Sequence, residues 1–200
     1  MLTAPALPAC PLPGLRAVEL IAGMEPLLQR FFDDNPLYFV AVSGKPAAPG
    51  EAHDEMHGEL PAGWSHGRQW VIGYVDATGA LAAMANVVSD LLVPTVWHIG
   101  TFIVATVRHG SGDAQALFAA LQDWARSRGA CWLRLGVVRG NVRAERFWAR
   151  QGFVQTRLRN AVVFGEHATT VRVMCKPLAG GSIEAYLGLV RRDRPQAAGD

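Results

Sequence analysis

The chain has 200 residues, half of them apolar, and a formal net charge of +2. That length suffices to bury one sizeable core, and so small a net charge excludes nucleic-acid binding driven by bulk electrostatics. No apolar run reaches the length of a transmembrane helix. The three cysteines, Cys10, Cys131 and Cys175, are too few and too scattered for a disulfide framework, which fits a reducing cytoplasm.

The charge is unevenly spread. Between Asp33 and Glu59 stand six acids and one base, Lys45, whereas between Arg126 and Arg159 stand nine arginines and one acid, Glu145. Each run reads either as a solvated face or as a surface that meets an opposite charge.

The first 14 residues, rich in proline and lacking a basic leader, read as a flexible arm rather than a signal peptide. Leu15–Leu20 alternates as a short strand. Gly23 and Met24 then open a helix whose buried stripe is Leu27, Leu28, Phe31 and Phe32, ended by Asn35-Pro36. Tyr38–Val42 is compatible with a helical turn or a strand, 44–50 with a loop, and Ala52–Leu60 with a short polar helix. Arg68–Asp76 and Leu81–Val88 form a hairpin across Ala77-Thr78-Gly79. Ile99–Val104 is an apolar, β-branched strand, followed by His109-Gly110-Ser111-Gly112 and an amphipathic helix with Ala114, Leu117, Phe118, Leu121 and Trp124 on one face. Cys131–Val138 is a further strand, and Asn141 caps a helix that stops at Gly152. Phe153–Phe164 and Thr169–Met174 pair around Gly165-Glu166, 177–181 is a linker, and Ile183–Val190 is a terminal helix before a polar tail. The order β-α-α-β-β-β-α-β-α-β-β predicts a mixed α/β domain over residues 15–178, with a mostly antiparallel seven-stranded sheet, followed by the short helix and tail of 179–200.

Strand, glycine turn and helix N-terminus together form a phosphate cradle, because the first helical N–H groups lack partners and the glycines let a ligand approach the backbone. The turn lacks the Gly-Lys-Ser/Thr of a nucleotide-hydrolysing loop, having Gly112-Asp113-Ala114 instead. It also lacks the third glycine of a dinucleotide fingerprint, and the next strand ends in Val138-Arg139 rather than a ribose-binding acid.

Residues 97–153 resemble the GNAT superfamily of acetyl-CoA-dependent N-acyltransferases. Its turn signature, Arg/Gln-x-x-Gly-x-Gly/Ala, stands as His109-Gly110-Ser111-Gly112-Asp113-Ala114, and its second signature as Asn141-Val-Arg-Ala144-Glu-Arg-Phe147-Trp148, then Gly152-Phe153. The resemblance implies a sheet splayed at its centre with helices on both faces, and acetyl-CoA as cosubstrate. Its pyrophosphate would lie on the backbone of Gly110, Ser111, Gly112, Asp113 and Ala114, with Arg108 and His109 nearby. The pantetheine arm would pair with Phe102, Ile103 and Val104, whose edge also offers an oxyanion donor. Asn141, Ala144, Phe147 and Trp148 complete the cofactor site.

The family's usual tyrosine acid is replaced by Trp148, whose indole is no acid. For a base, His98 lies four residues before Phe102 and suits proton transfer near neutral pH. Asp90 lies where the amine's charge would enter, or simply opens a turn. His53-Asp-Glu-Met-His57 spaces two histidines as zinc proteases do, but Asp54 replaces the required glutamate and no third ligand is evident, so no metal is expected. The acidic segment, with Phe31, Phe32, Tyr38 and Phe39, is expected to wall a pocket for a cationic small-molecule amine or peptide. No nucleic-acid or membrane partner is expected, and a homodimer is compatible with the sequence. The competing reading is an acyl-CoA-binding sensor or interaction module that does not turn over.

Overall fold

A computed structural model of the chain describes residues 7–164 and 167–195. The strands are β1 (Arg16–Glu19), β2 (Gln69–Val75), β3 (Leu81–Val88), β4 (Val96–Val104), β5 (Trp132–Val138), β6 (Val154–Phe164) and β7 (His167–Pro177). The helices are α1 (Glu25–Asp34), α2 (Leu37–Ser43), α3 (Glu51–His57), α4 (Asp113–Ser127), α5 (Val142–Arg150) and α6 (Ile183–Leu189). One seven-stranded sheet has the order β1-β2-β3-β4-β5-β7-β6, antiparallel throughout except between β4 and β5. The mixed, mostly antiparallel sheet is the one the sequence implies.

Strand alternation assigns the two faces. Trp97, Ile99 and Val104 of β4 and Leu133, Leu135 and Val137 of β5 pack under α4 and α5, against Leu117, Phe118, Leu121, Trp124 and Trp148. On the opposite face, Val71, Met84 and Ile103 carry α1 to α3 through Leu28, Phe31, Phe32 and Phe39, while Val96, Trp132 and Cys175 carry α6 through Tyr186. Helices therefore cover both faces.

Several boundaries differ from the sequence reading. The ambiguous Tyr38–Val42 lies within α2, because Phe39 finds a T-shaped contact with Phe32 at 4.8 Å and is buried. Helix α3 ends at His57, since the following glycine is extended. β4 begins at Val96 rather than Ile99, so His98 lies inside the strand. β7 runs through Pro177, into the expected linker; the Gly165-Glu166 turn lies outside the described residues. Beyond α6, residues 191–193 form a 3-10 turn whose Asp193 is fully buried. In the described part of the N-terminal arm, Leu7, Cys10 and Leu12 pack against the α4-side core.

Two irregularities set β4 apart from its neighbours. It pairs with β3 up to Val87↔Ile99 and resumes at Asn86↔Thr101, so Gly100 is a bulge. Its parallel pairing with β5 covers only Val96–Ile99 against Trp132–Leu135 and stops at the same place. From Gly100 to Val104, β4 leans away from β5.

Candidate active site

The divergence of β4 and β5 opens a cavity of about 930 Å³. Phe102, Ile103 and Val104 line it from β4, Gly136, Val137 and Val138 from β5, and Asn141, Ala144, Phe147 and Trp148 from α5. His109, Gly110, Gly112 and Ala114 line its mouth. Gly110 and Gly112 have φ of +88° and +92°, a region that L side chains rarely adopt, and nothing lies within 4 Å of where a Cβ would stand. The turn is thus open on the side that a phosphate would approach, at the N-terminus of the 15-residue α4. These features fit acetyl-CoA: an open strand edge for an amide-bearing arm, and a glycine cradle for its pyrophosphate.

Other residues of the expected cofactor set are engaged with the protein. Ser111 donates its hydroxyl to the Arg108 carbonyl at 2.7 Å, and Asp113 receives the Arg108 guanidinium at 2.8 Å; neither acid nor serine lines the cavity. The Arg108 bonds hold the Asp113 carboxyl below its ordinary pKa. His109 turns its Nε2 to the Val104 carbonyl at 2.9 Å, and partial burial lowers its pKa, so it sits neutral at the strand's end. Asn141 caps α5, its Oδ1 accepting from the Ala144 N–H at 3.2 Å, while its residue also lines the cavity. Trp148 is buried among Phe102, Phe118, Phe147 and Phe153, with an edge contact to Phe118 at 5.2 Å. It is a packed wall.

His98 lines the cavity on the face away from α4, and its Nδ1 donates to the Arg134 carbonyl at 3.1 Å. Burial first, and then the Arg134 charge, push its pKa down to about 3, so the ring is neutral across the working range. Beneath it lies a buried ion pair. Arg134 Nε and Nη2 donate to Asp193 at 2.7 and 3.1 Å, and the Tyr186 hydroxyl also donates to that carboxylate. Burial opposes the charge on Asp193, but the Arg134 bonds prevail and keep it ionised. Asp90 lies elsewhere: it has φ +53° in the β3–β4 turn, accepts from the Thr95 N–H at 2.7 Å, and does not line the cavity.

The acids of 33–59 do not wall the cavity either. The one that turns inward is Glu55 of α3. Its Oε1 accepts from Asn86 Nδ2 at 2.6 Å and its Oε2 from Thr101 Oγ1 at 2.9 Å, the two residues that face each other across the Gly100 bulge. Burial raises its pKa to about 7, against the lowering effect of those two bonds. Tyr38, which lines the cavity, has its hydroxyl against Thr101 and within reach of the Glu55 charge; burial and that charge raise its pKa. Asn86 Oδ1 is buried there and meets no donor. Glu55 and Tyr38 belong to the acidic segment and its aromatic company, but neither has a motif to single it out.

The His53 and His57 rings lie 4.6 Å apart, tilted by 43°, and Glu25, which accepts from His57 Nε2 at 2.7 Å, supplies the third potential ligand that the sequence does not reveal. The trio lies on the outer surface of α1 and α3, off the cavity.

A mixed sheet split at one parallel pair, with a glycine turn and a helix N-terminus at the mouth, thus frames a single cavity. Residues 16–153 match the acetyltransferase (GNAT) family, and the chain belongs to that family. The fold is similar to that of the ribosomal-protein-S18-alanine N-acetyltransferase from Escherichia coli (TM-score 0.61, 16% identity, covering 84% of this chain and 97% of that one). It is likewise similar to the spermidine N-acetyltransferase from Vibrio cholerae solved with CoA and spermine (TM-score 0.62, 16% identity, 82% and 95% covered). A GCN5-related N-acetyltransferase from Kribbella flavida gives a TM-score of 0.58 at 23% identity, with 82% and 98% covered. A comparison with curated proteins found no match. Among the described residues no helix is long and apolar enough to cross a membrane.

Proposed function

We propose that this GNAT-type acetyltransferase moves the acetyl group of acetyl-CoA to the primary amine of a small molecule or peptide by direct attack of the amine. The observation that carries this is the coincidence of the β4–β5 divergence, the Gly110–Gly112 turn and the α4 N-terminus around one cavity. Acetyl-CoA, when bound, supplies an activated thioester. The chain's own residues hold and polarise it: backbone N–H groups of Gly110 to Ala114 take the pyrophosphate, and the Phe102–Val104 edge pairs with the arm and offers a donor to the carbonyl oxygen.

The amine arrives as an ammonium with a pKa near 10 and must lose a proton before attack. His98 is the sequence's candidate base, but a ring with a pKa of about 3 is a weak one. Its place in this proposal is to orient the amine, accepting through Nε2. The proton goes to Glu55, whose pKa of about 7 matches the task. The route is Tyr38 and Thr101: as the ammonium proton reaches the Tyr38 oxygen, the Tyr38 proton passes to Thr101 Oγ1, and the Thr101 proton passes to Glu55 Oε2. With Trp148 packed as a wall, the thiolate leaves without a dedicated side-chain acid.

Thermal shift tests the cosubstrate. Acetyl-CoA is expected to raise Tm, while NAD and ATP leave it unchanged; equal shifts for all three would sink the proposal. Release of free thiol with pooled amines then separates an enzyme from a protein that only binds acyl-CoA.

A further inference from the structure

The cavity passes through the sheet, and its two sides differ. Ala144, Phe147 and Trp148 close it on the α4–α5 side, where the arm of the cosubstrate enters in the reading above. On the other side α2 contributes Leu37, Tyr38, Ala41 and Val42. Their spacing, i, i+1, i+4 and i+5, puts all four on one helix face. Phe39, which follows Tyr38 in the chain, is buried and packs on Phe32 instead.

The sheet supplies an apolar floor to the same side. Gly136 and Val138 alternate along β5 with Leu135 and Val137, which pack under α4, so they face away from α4. Val173 and Val171 pair with them, share their face and line the cavity. A Cβ on Gly136 would stand 3.0 Å from Val171, so the glycine keeps this floor level. The Tyr38 hydroxyl meets Thr101 here, and His98 Nδ1 meets the Arg134 carbonyl. Among the described lining residues every charged side chain is an arginine, and none is a carboxylate. Glu55 stands behind this lining, with its two oxygens on Asn86 and Thr101. The trough therefore offers no described acid to a cation beyond the reacting amine.

We propose that the acceptor is a primary monoamine with an apolar, uncharged body, an alkyl or arylalkyl chain, which lies along α2 and the Val171–Val173 floor while its nitrogen reaches His98 and Tyr38. The inference rests on the N-acetyltransferase reading above and names the acceptor within it. The nitrogen's own positive charge is discharged before attack, because its proton passes to Glu55. A second ammonium farther along the chain has no such outlet, and burying it without a counter-charge is costly. An apolar chain instead gains from each methylene removed from water. In the reaction the amine nitrogen forms the new C–N bond, the C–S bond breaks with its electron pair left on sulfur, and the body of the acceptor is untouched.

The test measures initial thiol release from acetyl-CoA over n-alkylamines from propylamine to octylamine. Each is matched with the α,ω-diamine of the same length, with phenethylamine and spermidine alongside. For the monoamines kcat/KM should rise about threefold per added methylene until the trough is full. Each longer monoamine should exceed its diamine by about tenfold or more. Leu37→Glu puts a carboxylate on the trough face at the first residue of α2, where a helix tolerates an acid. It should narrow the gap between hexylamine and its diamine severalfold, while acetyl-CoA still raises Tm. Calorimetry on the CoA-loaded protein gives a reading independent of turnover, in which N-hexylacetamide binds and N-acetylputrescine does not. A flat response to chain length, a preference for diamines or spermidine, an unchanged gap in Leu37→Glu, or failure of N-hexylacetamide to bind overturns the proposal. So does a gain from hexanoyl-CoA over acetyl-CoA that lengthening the amine does not give, since the trough then belongs to the donor. If acetyl-CoA itself fails to raise Tm, the acetyltransferase reading falls instead, so the two failures are distinct.

Discussion

Glu55 joins two properties that oppose each other. Its carboxyl is buried, and its folded pKa of about 7 lies above the ordinary value near 4.3. The folded state therefore holds this proton more tightly than the unfolded chain does. Its contribution to stability is full below about pH 4 and is lost as pH rises through 7, an effect of roughly 4 kcal/mol. The same raised pKa makes Glu55 a proton acceptor suited to neutral pH. Glu55→Gln should consequently separate the two. At pH 8 the variant is expected to melt higher than the parent, while its kcat falls by about 10²-fold or more and the inflection near pH 7 in kcat/KM disappears. A variant that keeps the inflection would return the base role to another group. His98 runs the other way: its pKa is depressed, so its contribution is present above about 6.5 and lost as pH falls toward 3.

At the scale of elements, what is legible in the sequence is local. Glycines at a strand-to-helix turn and the Asn141–Phe153 signature have fixed spacing along the chain, and the structure brings Gly110, Gly112, Ala114, Asn141, Ala144, Phe147 and Trp148 to one cavity. What is illegible needs three dimensions. Glu55 is held in its buried place by Asn86 and Thr101, which are 31 and 46 residues away in the chain. The acidic segment reads as a wall because its charges are contiguous in sequence, yet short α3 turns Glu55 under the sheet and leaves His53, Asp54 and His57 outside. Asp193 sits in what reads as a featureless polar tail.

The Gly100 bulge is an element-scale device with its own test. A bulge adds one residue to a strand, and bends and twists it. Here it lets His98 and Thr101, three residues apart, share a face, and β4 leaves β5 at the same point. Removing Gly100 would keep the inside-outside alternation on either side while straightening the strand against β5. Such a deletion variant is expected to fold, with a native circular-dichroism spectrum, but to lose the thermal shift with acetyl-CoA. Retention of the full shift would show that the divergence has another cause.

At the scale of the molecule, one buried ion pair ties the C-terminal segment to the sheet under the site. Arg134 is 3% exposed and Asp193 is fully buried, with Tyr186 completing the carboxylate's bonds. Removing one member of such a pair leaves a buried charge uncompensated and costs about 3–5 kcal/mol. Asp193→Ala is therefore expected to lower Tm by roughly 10 °C, and to weaken acceptor turnover more than acetyl-CoA binding, because Arg134 lies beside His98 and Trp64 rather than at the glycine turn. Scanning calorimetry and the two KM values check this. An unchanged Tm would mean that the pair contributes nothing net.

That clasp also sets an order of assembly. Arg134 precedes Asp193 by 59 residues, and every described residue that lines the cavity precedes it as well. During synthesis from the N-terminus the sheet's central strands and the glycine turn emerge first, with the Arg134 cation awaiting its counterion. The cradle for the cosubstrate is complete in sequence well before the ground beneath the acceptor is neutralised. A nascent chain can thus acquire the means to hold its acyl donor before it acquires a finished place for the molecule that is to receive the acyl group.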